Sequence, residues 1–143
     1  MKNIEKSDFN SVFRIRTKQF AIKLCKLFNN PQKGESARVI VKQILRSGTS
    51  VAANFYAATR GRSNAEYYSK LCIVVEECYE TLFWLDLITE AELLESKDLL
   101  ILRTETEELL KVFATAKKNL KSRMNSKKYN SPNHQIAKSP VTP

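Results

Sequence analysis

Apolar residues recur three and four positions apart along this chain, in four separate blocks. The first block, Phe9, Phe13, Phe20, Leu24 and Leu27, marks one face of a helix predicted from about Ser7 to Asn29, with Ser7 as its N-cap. The run Asn29-Asn30-Pro31-Gln32-Lys33-Gly34 then breaks the period and reads as a loop. A second helix is predicted from about Ser36 to Ala58, with Val41, Ile44, Leu45, Gly48, Val51, Ala52 and Phe55 on its apolar side and Gly61 as its terminator. Ser63-Asn64-Ala65-Glu66 matches the S-x-x-E capping box and opens a third helix. Leu71, Val74, Val75, Cys78, Leu82 and Leu85 carry that helix to about Ala91. A fourth helix starts near Ser96. Its positions Leu99, Leu102, Thr106, Leu109, Phe113, Ala116 and Leu120 step by three and four like the seam of a bundle.

Four such helices joined by short loops predict an all-α protein, an antiparallel up-down-up-down four-helix bundle. Composition agrees. Only 3 glycines and 4 prolines are present, too few for the turns of an all-β chain, whereas 43% hydrophobic residues suffice for a core. Beyond about residue 124 the chain is rich in Asn, Ser, Lys and Pro, which cannot offset the entropy of ordering. The expected division is therefore a bundle over residues 1–122 and a disordered basic tail over 123–143. No apolar run approaches a membrane span, and MKNIEKSDFN lacks the apolar region of a secretory signal. Cys25, Cys72 and Cys78 lack metal-ligand spacing, so a reducing, cytoplasmic compartment is expected, with the cysteines as small apolar residues.

The net charge is +9, but it is uneven: from Lys117 onward there are seven basic residues and no acid. Local patches rather than a broadly basic body are expected. Arg38, Lys42 and Arg46 step by four along the second helix, with no acid between Ser36 and Ala65. Arg14 and Lys18 are one turn apart on the first. Together with Arg60, Arg62, Lys117, Lys118 and Lys121 they form the candidate phosphate-contacting set. Tyr56, Tyr67 and Tyr68 are aromatics of the kind that stack on unpaired bases, although core packing competes for them.

The stretch RSGTSVAANFYAATRGRS, residues 46–63, concentrates small side chains, which let two helices approach closely. Phe83 and Trp84 are the large residues expected to fill the resulting groove. Gly48 and Gly61 are too far apart for a phosphate-cradling glycine loop, and no G-K-[ST] is present. Asn54, in the middle of the stretch, is expected either at a solvated position or bonded to carboxylates of the third helix. Glu76, Glu77 and Glu80 are the candidates, and Glu76 and Glu80 share a face. Asn54, Glu76, Glu80 and Trp84 thus make a candidate polar network or subunit contact.

The run Arg46-Ser47-Gly48-Thr49-Ser50-Val51-Ala52-Ala53-Asn54 resembles the signature second helix of the 23S ribosomal RNA intervening-sequence protein family. The likeness continues through Ala57-Ala58-Thr59-Arg60-Gly61-Arg62-Ser63. It resumes at Glu66-Tyr67, Lys70-Leu71, Glu76-Glu77, Glu80-Thr81 and Phe83-Trp84-Leu85, and spans about residues 10–121. The resemblance implies a left-handed bundle, often a ring-like homopentamer, of bacterial origin and without catalytic activity. More distantly, the chain is similar to the accessory factor of diversity-generating retroelements, a basic pentamer that engages nucleic acid and a reverse transcriptase. One departure stands out. Many relatives carry an acid three residues after the Asn, followed by Gly, where this chain has Ala57 and Ala58. Any role of that acid is absent here.

Catalysis has little support in the residues. The one histidine, His134, lies in the tail, so no Ser or Cys has a positioned base, and no zinc-ligand cluster is present. Neither a cofactor nor a metal is expected. The expectation is a homo-oligomer that binds nucleic acid, RNA before DNA, with a further protein partner left open. The alternative is a structural or protein-interaction scaffold whose charge serves solubility alone.

Overall fold

The computed structural model describes residues 2–130, with side chains described from Lys6 onward. Expectations for residues 131–143, including those on His134 and Lys138, lie outside the described residues. Four helices form in the order α1 (Lys2–Leu27), α2 (Glu35–Thr59), α3 (Asn64–Glu90) and α4 (Lys97–Tyr129). Each packs on its sequence neighbours, and α1 meets α4 along the shortest contact, closing an antiparallel four-helix bundle. Among the described residues no helix is long and apolar enough to cross a membrane.

Helix ends follow local chemistry. Gly34 precedes α2 with φ 87°, a conformation glycine adopts without Cβ strain, and its carbonyl accepts from the Arg38 N–H at 3.2 Å. Ser63 Oγ accepts from the Glu66 N–H at 3.1 Å, as the capping box requires. The Glu66 carboxylate, however, accepts from the Arg62 N–H at 2.6 Å, one residue before the cap. Ser96 caps α4 by accepting from the Asp98 N–H at 3.2 Å.

Three boundaries differ from expectation. Ser7 lies inside α1 rather than capping it, because residues 2–6 contain no Gly or Pro to stop the helix. Gly61 is not among the residues with positive φ. It matters through size instead: a Cβ there would crowd the Ala58 carbonyl at 3.1 Å. Helix α4 continues through Tyr129, so residues 123–129 are helical and the bundle's last helix runs past the expected limit of residue 122. Lys127 and Lys128 lie in its last turn, where the helix dipole favours cations.

Of the predicted seams, Phe20, Leu24, Ile44, Val51, Phe55, Leu71, Val74, Cys78, Leu85, Leu109 and Phe113 are all buried to within 1%. An aromatic cluster binds α1, α2 and α4 together, with the Phe55 and Phe113 ring centroids 4.9 Å apart and those of Phe13 and Phe113 5.6 Å apart. Burial pushes the Cys78 thiol up to about 12, which keeps it an inert core group.

Candidate nucleic-acid interface

At Gly48 the small-residue run of α2 is filled from α1. A methyl group at Gly48 would overlap Leu24 Cδ1 and come within 3.5 Å of Phe20. Phe83 does not enter this groove: it is 57% exposed and its ring packs on Trp84, which is half-buried against the core. The reason is angular. Gly48 sits on the side of α2 that faces α1, whereas Ser47, one position away, faces α3. Ser47 and Thr81 are both fully buried, and their hydroxyls lie 2.9 Å apart.

The Arg38–Lys42–Arg46 stripe is also divided by its neighbours. Arg46 binds Glu80 and lies 3.6 Å from Glu77, while Arg38 pairs with Glu35 at 2.9 Å. Only Lys42 of the three is exposed without an ion pair among the described residues. The acids that neutralise Arg46 come from another helix, which a count along α2 does not register. Glu80 also accepts from the Trp84 indole N–H at 3.3 Å. The Arg46 guanidinium holds the Glu80 carboxyl below its ordinary range, whereas burial pushes that of Glu77 up against the pull of Arg46. The expected link from Asn54 to these carboxylates does not form. Asn54 donates to the Ser50 carbonyl at 2.9 Å on its own helix, and Glu76 is exposed.

Two more arginines spend their charge on interhelix pairs. Arg16 joins α1 to Glu105 and Glu108 of α4, and Arg103 joins α4 to Asp86 of α3 at 2.5 Å. Six acids, Glu77, Glu80, Asp86, Glu105, Glu107 and Glu108, are thereby paired with Arg16, Arg46 and Arg103. The end where α1 and α3 begin and α2 and α4 finish is left with cations that have no such partners. Arg60, Arg62, Lys118, Lys121 and Arg123 are exposed there, Lys117 is half-exposed, and none forms an ion pair among the described residues. Helix α4 has no acid after Glu108.

Two aromatic features stand at this end. Tyr56, 50% exposed, carries the Arg14 guanidinium 5.9 Å from its ring centroid and that of Arg60 at 5.7 Å. Two of the sequence-selected cations, far apart in the chain, thus meet on one ring. On the α1–α4 side a groove of about 640 Å³ opens, lined by Phe9, Tyr67, Val112 and Ala116 with Lys6, Lys111 and Arg123. Lys6 Nζ lies 4.5 Å from the Tyr67 ring centroid, and the Tyr67 hydroxyl donates to Asn10 Oδ1 at 2.8 Å. Burial pushes that hydroxyl up to about 12, so it is a fixed neutral donor. Lys6, Lys111 and Arg123 were not selected from the sequence, because Lys6 stands on α1 and Lys111 and Arg123 are twelve residues apart on α4, with the uncharged Thr115 and Asn119 evenly spaced between them. Lys18 lies apart, beside a shallow cleft with Ala21 and Cys25.

The model of the 23S rRNA-intervening sequence protein family matches residues 12–115, more than half of the chain. The chain belongs to this family. A crystal structure described as a protein of unknown function from the S23 ribosomal protein family of Bacteroides thetaiotaomicron is 31% identical. The likeness covers 76% of this chain and 97% of the other, with a TM-score of 0.68. No curated protein matches at a significant level. Within this member of the 23S rRNA-intervening sequence protein family, the matched segment takes in Arg14, Tyr56 and Arg60 and the Arg46–Glu77–Glu80 cluster. Lys6, Phe9, Ala116 and Arg123 of the groove lie outside it, so part of that wall is contributed by flanking sequence.

Proposed function

We propose that this protein acts by binding, not catalysis, and that its ligand is single-stranded nucleic acid held at the basic end of the bundle. One observation carries the reading: Arg14 and Arg60 converge on the exposed ring of Tyr56 with no carboxylate paired to either among the described residues. An aromatic face flanked by cations offers a base a stacking surface and its phosphates a charge partner. Lys117, Lys118 and Lys121 on α4 extend the same field, and Arg62 stands two residues beyond Arg60. The family's description refers to 23S rRNA, so RNA is the nucleic acid to test first. A ring-like homo-oligomer, five copies by resemblance, multiplies the field by repetition.

Charge reversal tests it. In the double variant R14E/R60E, affinity for a labelled single-stranded RNA falls at least about tenfold, and the salt slope shrinks by roughly 1.4, the share of two phosphate contacts. The control is Arg46→Gln. Its charge is already spent on Glu77 and Glu80, so it lowers thermal stability and leaves RNA affinity unchanged. Equal RNA binding by R14E/R60E and the unaltered protein sinks the proposal.

A second reading, a protein-interaction scaffold, draws on the apolar side chains left outside the core. Ile15 is 64% exposed, Leu100 68% and Phe83 57%, on three different helices. Such residues suit contact between copies of the chain as well as contact with another protein.

A further inference from the structure

The groove between α1 and α4 has a composition that the Tyr56 site lacks, a recessed apolar floor beneath cations. Its floor includes the half-buried Phe9, Val112 and Ala116, with Tyr67 of α3 beside them. Around it stand the exposed cations Lys6, Lys111 and Arg123, none of which forms an ion pair among the described residues. No carboxylate lines it. Its volume of about 640 Å³ lies within the range of sites that enclose small ligands. Exposed Thr115 and Asn119 add a hydroxyl and an amide at its edge.

We propose that this groove is a second nucleotide site, which takes one unstacked base of a single-stranded RNA while Lys6, Lys111 and Arg123 hold the adjoining phosphates. This inference rests on the nucleic-acid reading. Charge complementarity selects the occupant: three unpaired cations and no acid call for an anion, and an apolar floor calls for a flat, poorly hydrated body attached to it. A nucleotide has both parts. The edge groups Thr115 and Asn119 supply hydrogen bonds that a base rim can take up. The groove and Tyr56 lie at the same end of the bundle, so one strand passing over that end meets a stacking surface and then a recess.

The test separates the groove from the Tyr56 site and the base from its backbone. Two variants fill the recess without altering charge: Ala116→Leu on the floor, and Thr115→Ile at an exposed position where folding is not at stake. Circular dichroism confirms the helical content of each. The probes are a labelled single-stranded RNA of about 12 nucleotides and an abasic strand of the same length, sized to the site range of single-strand binders. Both fillers lower affinity for the RNA about tenfold, the loss of one base contact, and leave the abasic strand unaffected. The charge variant K111E/R123E weakens both strands. Fillers that bind the RNA as tightly as the unaltered protein overturn the inference. Oligoglutamate that competes as effectively as the RNA also overturns it, and places an acidic polypeptide in the groove. If R14E/R60E loses RNA while the fillers and K111E/R123E keep it, the nucleic-acid reading stands and the groove inference falls. If the unaltered protein binds neither strand, both fall.

Discussion

At Gly48 a single hydrogen in place of a side chain decides how closely α2 approaches α1. Leu24 is fully buried and its Cδ1 packs where a Cβ would stand, so a methyl group there makes the end of that side chain shift within a close-packed core. Two effects oppose each other in Gly48→Ala. Helix propensity favours Ala by about 1 kcal/mol, while overpacking a filled core costs about 1–3 kcal/mol. The overpacking term wins, and we expect Gly48→Ala to lose about 1 kcal/mol in denaturant unfolding. In a Leu24→Ala background the clash is gone, and the same change gains up to about 1 kcal/mol. A loss of equal size in both backgrounds contradicts this account. Gly48 was legible in the sequence as a close-approach residue. Its partner was not, since Phe83 and Leu24 are equally apolar, and only the angular position of Gly48 selects between them.

The ends of the helices were mostly written in local chemistry, and the exceptions are informative. Ser63 and Ser96 cap as their sequences require because a side-chain hydroxyl two or three residues before an unpaired N–H is a purely local device. The end of α3 uses another device that its sequence conceals. The Leu93 N–H bonds the Ile88 carbonyl at 3.1 Å and the Glu92 N–H bonds that of Thr89 at 3.0 Å. This is a Schellman closure with Glu92 at φ 54°, the left-handed position that glycine usually takes. Because an L side chain there is strained by about 1–2 kcal/mol, Glu92→Gly stabilises the bundle by about 0.5–1 kcal/mol after glycine's greater chain entropy is deducted. A rise in Tm of a few degrees checks it, and an unchanged or lower Tm refutes it. The overrun of α4 through Tyr129 has the opposite cause: Lys and Ser between residues 121 and 129 contain no helix breaker, and the helix continues beyond its buried seam.

Charge is a property of the whole molecule here. Three arginines, Arg16, Arg46 and Arg103, join neighbouring helices and pair with six acids. The antiparallel topology gathers the unpaired cations of four helix termini at one end, and the positive dipole ends of α1 and α3 add to them. A molecule so polarised should respond to salt through its ligand and not through its fold. We expect light scattering to give a mass several times the 16.4 kDa of one chain, rising when RNA is added at low salt and returning to the protein-only value at moderate salt. An assembly whose mass ignores RNA at low salt favours the scaffold reading. A 16.4 kDa particle refutes the proposed ring.

The sequence by itself determined the number of helices, their approximate spans, the buried seams and the family, because helical periodicity and caps are local signals that the chain carries wherever it folds. It also chose Arg14 and Arg60 for the binding set, though not the ring on which they meet. Tertiary structure alone decided which charges are spent. The acid-free stretch of α2 is neutralised at Arg46 by Glu77 and Glu80, which lie on α3 and approach it only after the helices pack. The same packing left Asn54 on its own helix, turned Phe83 outward and opened the groove of Lys6, Lys111 and Arg123. Pairing depends on distances between helices, and those distances are set by rotation of each helix about its axis, which no spacing along one helix encodes.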